Sequence, residues 1–147
     1  MAKEIERKFL VKDHSFIPMA SEIIHICQGY ISRRPEGTVR VRIKGNRGFI
    51  TIKGKNAGVS RDEWEYEIPL ADAEEMLTRV CEGTVIDKHR HIVEYHGFTW
   101  EIDIFHGSHE GLIIAEIELP SADTAFPLPP FIAEEVTGNP VYYNSNL

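Results

Sequence analysis

Apolar and polar residues alternate with period two along most of the chain, the mark of β-strands whose two faces meet different surroundings. The pattern predicts strands over residues 4–11, 26–32, 38–44, 49–53, 63–68, 88–95, 98–105 and 112–119. Residues 45–48, 96–97 and 106–111 read as turns, and 54–60 as a loop. One stretch changes period. Ala73, Met76, Leu77, Val80 and Cys81 fall at helical spacing, which predicts an amphipathic helix over residues 71–82. Asp72 is placed to cap it, with Glu75 in a capping-box position and Gly83 as the stop. Two further helices are expected, one over residues 13–25 around Pro18 and a short one over 131–136. About eight strands with short connections imply antiparallel neighbours in a mainly β fold. The 147 residues fit a single domain, 1–147, long enough to bury a core.

The polar faces of these strands carry almost nothing but charge, and the sign is sorted by strand. Glu4, Glu6 and Lys8 share one face, and Arg40, Arg42 and Lys44 another, opposite Val39, Val41 and Ile43. Thr51 and Lys53, Lys88 and Arg90, Glu101 and Asp103, and Glu116 and Glu118 repeat the pattern. Glu63, Glu65 and Glu67 do so opposite Trp64, Tyr66 and Ile68. A solvated face accounts for any one strand. All of them together do not look like a merely soluble surface, which would mix Ser, Thr, Asn and Gln among the charges. If the sheet closes with these faces inward, clustered carboxylates meet clustered cations across a lumen. Burying like charges is costly unless something bridges them. A triphosphate with magnesium does so: carboxylates hold the hard cation through oxygen, and arginine forks grip phosphate oxygens.

Composition narrows the classes. A net charge of −7 and a pI near 5.5 disfavour a nucleic-acid partner, but not a small polyanion neutralised locally. No apolar run is long enough for a membrane helix, and the first residues have no signal-peptide character, so a cytoplasmic protein is expected. Cys27 and Cys81 are expected as reduced thiols. The seven histidines form no HExxH pattern and the cysteines no partnered Cys/His spacing, so no zinc site is expected.

Glu4-Ile5-Glu6-Arg7-Lys8 matches the ExExK signature of the CYTH superfamily, the triphosphate tunnel metalloenzymes. The chain resembles that family in order at Arg40-Val41-Arg42, Thr51-Ile52-Lys53, Arg61-Asp62-Glu63-Trp64-Glu65, Lys88-His89-Arg90, Glu101-Ile102-Asp103 and Glu116-Ile117-Glu118. Its end, from Glu135-Val136-Thr137-Gly138 to Tyr142-Tyr143-Asn144, resembles the family's closing segment, although Val141 stands where a basic residue is common. The resemblance implies a closed eight-stranded antiparallel β-tunnel, or barrel, with a few helices packed outside. It implies Mg²⁺, or Mn²⁺, held among Glu4, Glu6, Glu63, Glu65, Asp103, Glu116 and Glu118. It assigns phosphate binding to Arg40, Arg42, Lys53, Lys88 and Arg90, and puts Lys8 beside the reacting phosphate. Tyr30, on the Gln28/Tyr30/Ser32 face, is the second candidate catalytic residue. The implied activity is hydrolysis of a small-molecule triphosphate, inorganic triphosphate first. A class IV-type adenylate cyclase, a thiamine- or nucleoside-triphosphate hydrolase and a non-catalytic polyphosphate-binding module are the alternatives. No nucleic-acid or membrane partner is implied, and the oligomeric state, a homodimer among the options, stays open.

Overall fold

The alternating pattern returns as nine strands and one α-helix in the computed structural model, which describes residues 2–147. The strands are β1 (Ala2–Val11), β2 (Glu22–Arg34), β3 (Gly37–Lys44), β4 (Arg47–Lys53), β5 (Ser60–Ile68), β6 (Glu82–Tyr95), β7 (Phe98–Phe105), β8 (Ile113–Glu118) and β9 (Ile132–Glu135). Helix α1 (Leu70–Arg79) lies between β5 and β6. All pairings are antiparallel, in the order β5-β4-β3-β2-β6-β7-β8-β1, and β1 also pairs with β5. That last ladder closes eight strands into a barrel.

The closing seam is shared. On one edge of β1, Ala2 to Ile5 register with Glu63 to Ser60 of β5. Further along, Phe9 and Val11 register with Glu135 and Ile132 of the short β9. Between them the Glu6 N–H donates to the Val59 carbonyl at 3.0 Å and the Lys8 N–H to Thr137 Oγ1 at 2.9 Å. Buried backbone donors need partners, and this edge supplies the reason why residues 131–136 form a strand segment instead of the expected helix. The same logic corrects residues 13–25. They hold only the 3₁₀ turn Ile17–Met19, and β2 has begun by Glu22. Ile23, Ile24 and Ile26 are stiff, β-branched residues that suit the ladder with β6 better than a helix.

The outer apolar face is covered in two ways. Phe9, Val93, Trp100, Ile102, Ala115 and Ile117 pack under Phe16, Phe126, Phe131 and Ile132, which sit outside the α-helix on coil and short segments. Helix α1 covers β2–β4, and close approach is possible because Gly29 and Gly48 face it. A Cβ at Gly48 would lie 2.8 Å from Ala73 Cβ, and one at Gly29 3.1 Å from Leu77 Cδ2. The covering helices are one α-helix and short 3₁₀ turns, and irregular segments complete the cover. Val41 is buried, but Ile52, at 39% exposed, is left largely bare. α1 also starts and stops earlier than expected: Pro69 is its N-cap, Asp72 lies in its first turn, and Val80 is its C-cap. Gly83, expected as the stop, instead enters β6 with φ +69°.

Candidate active site

Alternation and register turn the charged faces inward, and a cavity of about 220 Å³ opens within the barrel. Seven glutamates and eight lysines or arginines line it. Every residue expected in the site reaches this lumen except Asp103. Beyond the charged region Tyr30, Ile86, Phe105 and Ile114 form a buried apolar floor, with Leu112, Tyr142 and Leu147 packed against it.

The acidic end is built where carboxylates oppose each other across strands: Glu6 registers with Glu118 and Glu101 with Glu116. Burial first, then Glu116 and Glu4, push Glu6 well above the usual carboxylate range. Burial also works to raise Glu116, but Lys8 and a hydrogen bond shared with Glu6 outweigh it and hold Glu116 well below that range. The two carboxyls are thus driven apart by their surroundings. Burial and then Glu4 raise both Glu63 and Glu118. Lys53 is the cation that reaches into this group, with Nζ 3.0 Å from Glu4 Oε1 and 3.3 Å from Glu63 Oε2. An all-oxygen donor set crowded enough to push Glu6, Glu63 and Glu118 up fits a hard divalent ion.

The basic end lies on β3 and β6. Arg40 donates from Nη2 to Thr51 Oγ1 at 3.1 Å, while its Nε is buried without a partner. Arg42 donates from Nε to Gln28 Oε1 at 2.7 Å, and burial, then Arg40 and Arg90, lower its guanidinium from the usual value. Burial lowers Lys88 to about 7, against the pull of Asp103, with Arg90 and Arg42 adding to the fall. An orphaned guanidinium nitrogen among crowded cations is an anion site in want of its anion.

Asp103, expected among the metal carboxylates, is held by cations: Arg90 grips it at 2.8 and 2.9 Å and Lys88 Nζ lies 2.6 Å from its Oδ2. With both oxygens taken, it is the counter-ion that positions two cations. Glu65 sits between the two ends: its Oε2 accepts from Thr51 Oγ1 at 2.8 Å and from Arg40 at 3.4 Å. Lys8 lies 4.0 Å from Glu116 Oε1 and donates to the Tyr142 carbonyl at 3.2 Å. The Tyr30 hydroxyl accepts from Gln28 Nε2 at 3.4 Å.

A family model of the CYTH domain matches residues 2–143. The chain belongs to the CYTH family. It is 48% identical to an inorganic triphosphatase of Acetivibrio thermocellus over 147 residues, covering 100% of this chain and 94% of the relative. It is 35% identical to an inorganic triphosphatase of Nitrosomonas europaea over 148 residues, 98% of this chain and 95% of that one. A crystal structure of an inorganic triphosphatase superposes with a TM-score of 0.68 at 31% identity, covering 99% and 94% of the two chains. A protein from Hippeastrum, at 14% identity and TM-score 0.63 over 80% of each chain, shares the fold.

Several residues of this CYTH lumen were given no site role from the sequence. Lys44, Arg61 and Glu101 line it, and the signal was present, since each lies two positions from a residue that was given one. Tyr143, Asn144 and Ser145 line it too, and for the first two the resemblance of the closing segment was the signal. They arrive on the chain's last turns, where Asn144 Oδ1 accepts from Lys88 Nζ at 3.0 Å and from Gln28 Nε2 at 3.2 Å. The departure at Val141 falls on a side chain 68% exposed, away from the lumen lining.

Proposed function

We propose that this chain hydrolyses inorganic triphosphate to phosphate and pyrophosphate, with Mg²⁺ as the preferred ion and Mn²⁺ as its substitute. The observation that carries the reading is the juxtaposition, in one 220 Å³ cavity, of a crowded carboxylate cluster and a cation cluster with an unpartnered Arg40 Nε. The lining is charged or polar almost throughout. Apart from the ring faces of Tyr30 and Tyr143, Val59 is the apolar side chain on it. That offers a base or a thiazole ring little to pack on and favours the inorganic substrate over a nucleotide or thiamine ester. The names of the two relatives point the same way.

Glu4, Glu6, Glu63, Glu116 and Glu118 would hold the ions, whose chemistry is to screen the phosphate charge and acidify a water. With ions held there, Lys53 would be free to turn from Glu4 and Glu63 toward phosphate. Arg40, Arg42, Lys88 and Arg90 hold the phosphate chain, Asp103 fixing the last two. Lys8, with acidic and basic ends on either side, donates to oxygens of the terminal phosphoryl group as it transfers. The Tyr30 hydroxyl, at the floor, orients that group from below. Water oxygen bonds to the terminal phosphorus, the bridging P–O bond breaks, pyrophosphate leaves, and the surplus proton passes to solvent.

Phosphate release from tripolyphosphate, ATP and thiamine triphosphate, each with and without Mg²⁺, tests the proposal. Tripolyphosphate should be the fastest, and only with the ion. Faster turnover of ATP, or tripolyphosphate hydrolysis that survives EDTA, would overturn it.

A further inference from the structure

The outer wall of the barrel carries a second group of metal-binding side chains that the tunnel chemistry leaves unused. On the outward faces of β2 and β6, His25 stands directly across from His89 and Cys27 across from Asp87. His25 Nε2 lies 2.9 Å from Asp87 Oδ1 and 3.7 Å from Cys27 Sγ, and the three donor atoms all fall within 4.8 Å of one another. Among the described residues this is the trio of His, Cys, Asp or Glu whose donors converge so closely. The ring of His89 stacks on that of His25, with centroids 4.7 Å apart and planes at 23°, and His89 Nδ1 lies 2.7 Å from His106 Nε2. His25 is thus held in place by a ring on one face and a carboxylate at its edge.

We propose that His25, Cys27 and Asp87 bind a transition-metal ion of the Zn²⁺ class. The donor set decides the class of ion. Thiolate and imidazole select borderline ions such as Zn²⁺ or Co²⁺, whereas Mg²⁺ is served by the all-oxygen lumen. Metal–nitrogen bonds of about 2.0–2.1 Å and metal–sulfur bonds of about 2.3 Å put tetrahedral donors roughly 3.4–3.6 Å apart: the 3.7 Å between His25 and Cys27 fits, and the 2.9 Å hydrogen bond between His25 and Asp87 would open by about half an ångström on binding. Three protein ligands leave a fourth position for water or an outside ligand. The site is open to an arriving ion, since the side chains of His25 and Asp87 are about half exposed. Burial and then Asp87 push the Cys27 thiol above its ordinary value. Coordination expels the thiol proton to solvent, one per ion bound, and leaves the thiolate. The ligands come from strands paired at a separation of 62 residues, so no local motif announces them.

The test is a Co²⁺ titration of the whole protein in excess Mg²⁺, which occupies the carboxylates of the lumen. One Co²⁺ per chain should bind with tetrahedral d–d bands and a thiolate-to-cobalt charge-transfer band, and Zn²⁺ should displace it. Cys81→Ser should keep both features, and Cys27→Ser should lose the charge-transfer band. Asp87→Asn and His25→Ala should weaken binding by more than about tenfold, the least that even an outer-sphere partner is worth. Thermal unfolding without metal checks that each variant is folded. A readout that needs no variant is alkylation followed by mass spectrometry: Zn²⁺ should protect Cys27 and not Cys81. Absence of the charge-transfer band in the wild type, its persistence in Cys27→Ser, unchanged affinity in Asp87→Asn and His25→Ala, or alkylation of Cys27 indifferent to Zn²⁺ would each overturn the proposal.

Discussion

Asp103→Asn tests the electrostatic frame of the lumen. Asp103 is 1% exposed, and its carboxylate meets Lys88 Nζ at 2.6 Å and Arg90 at 2.8 and 2.9 Å. Asn preserves the volume and one acceptor oxygen but removes the charge, leaving Lys88 without its carboxylate and Arg90 with Glu101, 3.4 Å away, as its remaining ion pair. Removing one member of a buried ion pair costs about 3–5 kcal/mol. The surviving hydrogen bond to Arg90 puts the expected loss near the lower end, about 3 kcal/mol, read as a lower denaturation midpoint at an unchanged m-value. Lys88→Met should cost less, because Asp103 keeps its two-pronged contact with Arg90.

The pH dependence of that loss has a definite sign. Burial lowers folded Lys88 to about 7 from an ordinary value of 10.5. Between those values the unfolded chain binds more protons, so wild-type stability gains from Lys88 as pH rises through that window. Without the attraction of Asp103, Lys88 falls further and the variant begins to gain below pH 7. The deficit should therefore be largest in mild acid and narrow as pH approaches 7. The competing role for Asp103, as a metal ligand, makes an opposite forecast. Stability within about 1 kcal/mol of wild type, with a raised Mg²⁺ requirement for hydrolysis, would refute the counter-ion assignment.

Gly48→Ala should destabilise the fold by about 1–3 kcal/mol through overpacking against Ala73, and Ala73→Gly should recover much of it in a denaturation series. EDTA should abolish tripolyphosphate hydrolysis and Mg²⁺ or Mn²⁺ restore it, while Glu116→Gln should lose activity and keep the circular dichroism of the wild type. Lys8→Ala should lower kcat with little change in KM, and Arg42→Ala should mainly raise KM; the reverse pattern in steady-state kinetics would exchange their roles.

Much of this site was legible because a strand has only two faces. Once Arg40 and Arg42 are assigned to one side, period two carries Lys44 with them, and Glu101 follows from the residues beside it. What alternation cannot carry is partnership across the chain. Residues 131–136 became a strand because β1 left an edge open near Phe9, and the His25–Cys27–Asp87 trio exists only once β2 and β6 pair.

The clearest instance is the division of labour among the acidic residues, which register decides and composition does not. Glu101 and Asp103 are neighbours on one face of one strand, alike in charge and nearly alike in size. β7 sets Asp103 opposite Arg90, where it is neutralised within the fold, and sets Glu101 opposite Glu116. On the far side of β8, β1 likewise sets Glu6 opposite Glu118. Like charges placed directly across a ladder oppose folding. A barrel that retains two such pairs in adjoining ladders, with Glu6 pushed well above the usual carboxylate range, has carboxylates to spare for an ion from outside.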